Sequence, residues 1–108
     1  MNWFSKLFSE VSPAESPAYE DDALIIDVRT TSEFASGHVE GALNLPIDKL
    51  GQNYATVAPD KARQIVVYCQ AGSGSDVATM FLKLRRYANV INGKSAGDVA
   101  RQLNRKIV

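Results

Sequence analysis

Cysteine is nearly missing from this chain of 108 residues: there is one, Cys69. A single thiol forms no internal disulfide, so no cross-linked framework holds the fold. The expected setting is a reducing compartment, the cytoplasm, where a thiol persists. Net charge is missing as well. Twelve Lys and Arg balance twelve Asp and Glu, which excludes an overall field that recruits nucleic acid or an anionic membrane. No apolar run approaches the ~20 residues that a spanning helix needs, so an integral membrane segment is not expected. Internal repeats and low-complexity stretches are lacking too. What remains is 45% hydrophobic residues, enough for one core and one domain.

The chain begins with Trp3, Phe4, Leu7, Phe8 and Val11 at helical spacing on one face. Lys6 and Glu10 interrupt this stretch, and Pro13 and Pro17 follow it among acidic residues, so a secretory signal is not the reading. Residues 1–17 are expected to form an amphipathic arm and linker. The arm either docks on the domain or offers a surface to a partner or membrane. Residues 12–22, with Pro13, Pro17 and Glu20-Asp21-Asp22, read as linker, and residues 18–106 as the domain.

From residue 23 the pattern alternates in the βα manner. Residues 23–28 form a buried strand candidate, and 31–35 a short helix capped by Thr31 or Ser32 and stopped at Gly37. Residues 42–45 predict a short strand ended by Pro46. One or two short helices follow over 47–50 and 54–57. The run Ile65-Val66-Val67-Tyr68 predicts a strand, residues 76–87 a helix, 88–91 a last strand, Asn92-Gly93 a turn, and 96–103 a last helix. Strands separated by helices predict an α/β fold: a parallel twisted sheet with helices on both faces. The helix over 76–87 is expected to bury Val77, Met80, Phe81 and Leu84 and to solvate Lys83, Arg85 and Arg86.

Cys69 stands where the β-branched run gives way to Gln70-Ala71-Gly72-Ser73-Gly74-Ser75. A thiol at a strand-to-helix junction faces the helix N-terminus, where unpaired amides and the helix dipole favour negative charge. The thiolate is the nucleophile. Glycines and serines let successive amides turn inward and cradle an anion beside the sulfur. The alternative is a small apolar residue in the core, which is how such cysteines are often used.

The blocks Asp27-Val28-Arg29, Glu33-Phe34, the run from Gly37-His38-Val39-Glu40-Gly41 to Pro46, and Val66-Val67-Tyr68-Cys69 resemble the single-domain rhodanese family of sulfurtransferases. The resemblance covers residues 18–105. It is nearest in style to the small phage-shock type of that family, including Ala71-Gly72 in the loop and Asn92-Gly93 near the end. It implies a rhodanese-like fold and a ping-pong transfer in which Cys69 takes a sulfane sulfur from thiosulfate or a persulfide donor. The persulfide then passes it to cyanide or a thiol acceptor. Gln70, Ala71, Gly72, Ser73, Gly74 and Ser75 would bind the sulfur-bearing anion through their backbone. No metal or organic cofactor is implied.

The loop departs from the family pattern, which often carries arginine: positions 70–75 are all uncharged here. Asp76 follows, and a like-charge contact at ~6 Å costs on the order of 1 kcal/mol against an anionic donor. Poor use of thiosulfate is therefore expected, unless Lys94 supplies the missing positive charge. A second function class follows, a rhodanese-like module that binds or regulates a protein partner. Cysteine phosphatases need an arginine six positions after the nucleophile, and Ser75 stands there, so a phosphatase or arsenate reductase is not expected. Ser75 reads instead as the helix cap or a donor to bound sulfur. His38 could be an acid or base, but within Gly-His-Val-Glu-Gly it reads as a residue that fixes its loop by hydrogen bonds, and Arg29 and Glu33 read as an ion pair. Asp27, at the carboxyl end of its strand, could sit at the rim of the site.

Overall fold

A computed structural model describes residues 18–70 and 72–108. The arm expected at 1–17 and the loop residue Ala71 lie outside the described residues. Four strands, β1 (Leu24–Asp27), β2 (Leu43–Asn44), β3 (Ile65–Cys69) and β4 (Val90–Ser95), form one parallel sheet in the order β2-β1-β3-β4. Four α-helices connect or follow them: α1 (Thr31–Ser36), α2 (Leu50–Val57), α3 (Ser73–Leu84) and α4 (Ala96–Leu103). A 3-10 turn (Ile47–Lys49) leads into α2.

The α/β architecture expected from the alternating pattern is present. β3 is the second interior strand beside β1, and Ile65, Val66, Val67 and Tyr68 are all 0% exposed. Burial on both faces explains a continuous apolar run in place of alternation. Ile65, Val67 and Cys69 join the core under α2 and α3, with Ala78, Leu82 and Tyr87. Val66 and Tyr68 face the opposite core with Val99, Ala100 and Leu103 of α4.

Several local expectations need correction. α1 is capped by Thr30, whose hydroxyl accepts from the Glu33 amide while Glu33 reaches back to the Thr30 amide. This reciprocal box takes the carboxylate that was expected to pair with Arg29. α3 starts at Ser73, three residues earlier than the pattern over 76–87 suggests, because Gly72 serves as its N-cap. Its sheet-facing positions are Ser75, Ala78, Thr79 and Leu82. These small side chains let the helix sit close on the strands, so Val77, Met80 and Leu84, expected in the core, are exposed and Phe81 is half-buried.

Asn92-Gly93 is not a turn. The strand runs on to Ser95, and a register shift between Val67 and Tyr68 places both residues in a β-bulge. A Cβ at Gly93 would lie 2.4 Å from Val99 and 3.1 Å from Val66, so close packing of α4 on the sheet requires glycine here.

The stretch read as linker up to residue 22 is strapped down from Ala18 onward. The buried Gln64 side chain donates to the Ala18 carbonyl and accepts from the Glu20 amide. Arg63 and Arg105 hold the Asp22 and Asp21 carbonyls. At the other terminus His38 and Val108 exchange both backbone hydrogen bonds.

Candidate active site

In a parallel sheet the carboxyl ends of adjacent strands open onto one rim. β1 and β3 are neighbours, so the residues after Asp27 and those after Cys69 share that rim. Three residues separate Cys69 from α3. Gly72 takes φ 96°, a left-handed conformation that glycine reaches without strain. The turn brings the Gly72 amide back onto the Cys69 Sγ, to which it donates at 2.8 Å.

The Cys69 thiol donates toward Ser75 Oγ at 3.4 Å, with the Lys94 carbonyl as a second acceptor at 3.6 Å. Ser75 in turn donates to the Gly72 carbonyl at 3.0 Å. Ser75 is therefore no helix cap. It lies inside the first turn, fully buried, and braces loop and sulfur from beneath. The Gly72 amide and the positive end of a 12-residue helix both favour the deprotonated sulfur.

Outward from the sulfur lies an open cleft of about 410 Å³. Gln70, Ser73 and Gly74 line one side; Val28, Arg29, Glu33 and Ile47 line the other. Of the residues expected to bind substrate, Gln70, Ser73 and Gly74 thus border the cleft, and Gly72 and Ser75 contact the sulfur itself. Gly74 leaves room where it matters: a Cβ there would stand 3.9 Å from Sγ and 3.6 Å from the Cys69 Cβ.

The second wall of the cleft was largely missed, although the block after β1 carried the signal. Asp27, weighed as a rim residue, is fully buried. Its carboxylate accepts from the Arg29 backbone amide, from Nε and from Nη2, the last at 2.6 Å. This pair replaces the expected Arg29–Glu33 contact, because a buried carboxylate requires a cation and the planar guanidinium fits it. Arg29 also donates to the Gly37 carbonyl and lies 5.5 Å from the centre of the Tyr68 ring. The hydrogen bonds it donates to Asp27 raise the Arg29 pKa. Burial first, and Asp27 next, push the Tyr68 phenol up.

His38 matches its expected role. Its Nδ1 lies 2.8 Å from the Phe34 carbonyl, and its ring stacks on Phe34 at 3.7 Å.

The bulge in β4 sets a pair of charges beside the loop. Lys94 adopts φ 74° there, its carbonyl aimed at Cys69 and its Nζ 3.6 Å from Asp76 Oδ1. Asn92 donates to the same carboxylate oxygen. Lys94 does supply a positive charge beside the loop, and Asp76 offsets it, so the pair adds no net charge there.

A cysteine in the strand-to-helix loop of a parallel sheet, with a backbone amide directed at its sulfur, places this chain among α/β domains with a thiol at the carboxyl rim. The profile of the Rhodanese-like domain family matches residues 12–95. The chain belongs to the rhodanese-like domain family. It is 37% identical over 75 residues to the thiosulfate sulfurtransferase PspE of Escherichia coli (strain K12), covering 69% of this chain and 72% of that protein. A sulfurtransferase of Allochromatium vinosum is 33% identical over 72 residues, which span 67% of this chain and 65% of the relative. Among solved structures, a rhodanese with anions from E. coli superposes with a TM-score of 0.68 at 36% identity, over 72% of this chain and 92% of the other. Relatives named as sulfurtransferases support the sulfurtransferase class. Among the described residues no helix is long and apolar enough to cross a membrane.

Proposed function

We propose that residues 18–106 form a rhodanese-type sulfurtransferase unit that carries a sulfane sulfur on Cys69. The observation that carries this reading is the Gly72 amide donating to Cys69 Sγ at 2.8 Å at the head of α3. A cysteine held only as an apolar core residue has no need of a left-handed glycine that directs an amide at its sulfur.

The Cys69 thiolate attacks the outer sulfur of the donor. With thiosulfate the S–S bond breaks, sulfite leaves with the bonding electrons, and Cys69 becomes a persulfide. The terminal sulfur carries the negative charge in the cleft, facing the backbone of residues 70–75. Cyanide or an acceptor thiolate then attacks that sulfur, and the electron pair returns to Cys69. No redox cofactor enters the balance. The thiol must stay reduced between turnovers, so a reducing compartment, the cytoplasm, is the proposed location.

The rim selects among donors. With the Lys94 charge offset by Asp76 and Arg29 committed to Asp27, nothing at the described rim offers a dianion a dedicated cation. A persulfide, which carries at most one charge at the sulfur, therefore suits this cleft better than thiosulfate does. The same neutrality favours the second reading, a protein-binding module, only if transfer is absent.

Steady-state thiocyanate formation tests the proposal. Parallel double-reciprocal lines are expected with thiosulfate and cyanide varied, and loss of turnover in Cys69→Ser. Turnover in Cys69→Ser, or none in the parent with any sulfane donor, would refute it.

A further inference from the structure

α3 turns its small residues to the sheet and leaves Val77, Met80 and Leu84 in solvent, at 61, 66 and 73% exposure. Spaced three and four apart, they form one apolar line along the helix, with the half-buried Phe81 beside it. Grooves of about 440 and 340 Å³ flank the line. Lys83 and Asn92 border the first, Val77 and Phe81 the second, and Asp76, Met80 and Leu84 border both.

The line starts at the cleft. Ser73 and Gly74, which wall the cleft beside Cys69, stand four and three positions before Val77, the spacing of neighbours on one helix face. At the helical rise, Val77 lies about 6 Å and Leu84 about 16 Å along the axis from Ser73. Asp76 ties the two regions together at the side, since its carboxylate meets the Lys94 Nζ and the Lys94 carbonyl faces the Cys69 Sγ. A small reactant held in the cleft touches none of this line. A body larger than the cleft that brings a thiol to Cys69 along this face of α3 lies across it.

Charge and area narrow the kind of body. Lys83 borders the larger groove, Arg85 stacks on Phe81 at 3.5 Å, and Arg86 follows at the end of the helix. The Asp76 carboxylate is engaged by Lys94 and Asn92, so the margin of the line is basic. An apolar centre with a basic margin complements an apolar ridge with an acidic margin, which a protein surface supplies and a small thiol does not. The three side chains expose a few hundred square ångströms, in the range of ~300–600 Å² for the largest patch on a monomer and below the ~800 Å² per partner of a stable interface. That size suits a partner that leaves after transfer and not a standing dimer.

We propose that Cys69 exchanges sulfur with a cysteine carried by another protein, which docks transiently along Val77, Met80 and Leu84 through an apolar ridge with an acidic margin. This inference rests on the sulfur-transfer reading and names the partner class. The partner's thiolate attacks the terminal sulfur of the Cys69 persulfide; a new S–S bond forms on the partner as the old one breaks, and the electron pair returns to Cys69.

The probe is a synthetic amphipathic helical peptide with leucines three and four apart, glutamates beside them and one terminal cysteine. A shuffled peptide of the same composition and a version with lysine for glutamate serve as controls. Persulfide-loaded protein is mixed with each peptide and, separately, with cyanide, and loss of the extra sulfur is followed by intact mass. The glutamate peptide should show saturation and react about tenfold faster than either control at low concentration. Met80→Glu/Leu84→Glu should erase that preference and leave cyanide turnover and the circular dichroism spectrum unchanged, since both side chains are exposed. Equal rates for the three peptides, or a preference that survives these substitutions, would overturn the proposal; with cyanide turnover intact, the sulfur-transfer reading would stand. No transfer to cyanide or to any peptide would remove the sulfur-transfer reading and this inference with it. Concentration-dependent dimerisation in sedimentation, abolished by the same substitutions, would assign the line to a second copy and likewise overturn the proposal.

Discussion

Asp76 and Lys94 offer the sharpest test of how the cleft treats charge. Their side chains are 64 and 60% exposed and meet at 3.6 Å, so each largely masks the other from a donor in the cleft. Neutralising Asp76 by Asp76→Asn unmasks Lys94. A dianion ~6 Å from a unit charge gains ~3 kcal/mol at an effective dielectric of ~40. Exposure and a screening length of ~8 Å at physiological salt cut this to ~1 kcal/mol. The expected result is a fall of about fivefold in KM for thiosulfate, since 1.4 kcal/mol corresponds to tenfold. Lys94→Gln unmasks Asp76 and should raise KM by a similar factor. The double variant should return close to the parent, and all three differences should shrink as salt is added. Thiocyanate production at low and high ionic strength measures this directly. Shifts in the same direction for both single variants, or none at low salt, would refute the claim that this pair sets the charge of the rim.

Three further outcomes are expected. Gly74→Ala meets no backbone strain and sets its methyl group in ordinary contact with Cys69, 3.9 Å from Sγ; folding should be retained while kcat/KM for sulfur transfer falls about tenfold, ~1.4 kcal/mol, because the methyl takes up space beside the sulfur in the cleft. Asp27→Asn leaves the half-buried Arg29 guanidinium without its counter-charge and should cost about 3 kcal/mol or more of stability, read as a lower midpoint in urea. The Tyr19, Tyr68 and Tyr87 phenols are all raised from 10.0 in the folded protein, mainly by burial. The folded state therefore holds protons that the unfolded chain releases, so this stabilisation is fully present below pH 10.0 and is lost as pH rises through the folded values. Unfolding midpoints that stay flat above that pH, with tyrosinate absorbance unchanged, would contradict it.

The sheet was legible because β3 advertises itself: a β-branched run buried on both faces has few other uses. The cradle was legible for a related reason, since glycine and serine directly after a buried strand mark a sharp turn into a helix. What escaped the sequence depends on tertiary fit. The apolar positions of α3 outnumber those that face the sheet, and only the close approach allowed by Ala78 and Thr79 decides which stripe is buried. Asn92-Gly93 carries the composition of a turn, yet the bulge uses Gly93 to clear Val99 and to aim Lys94 at Asp76 and Cys69. Arg29 had two carboxylates within reach, and the buried one took it because an unpaired charge inside the domain costs more than one in solvent.

The central claim, that Cys69 carries sulfur, is tested most directly by intact mass. The purified protein would be weighed after incubation with thiosulfate and, separately, with a persulfide donor, before and after addition of a reductant. A gain of one sulfur atom that the reductant removes, absent in Cys69→Ser and greater with the persulfide donor, is the predicted result. A folded protein with a reactive Cys69 that gains no sulfur from either donor would contradict the account.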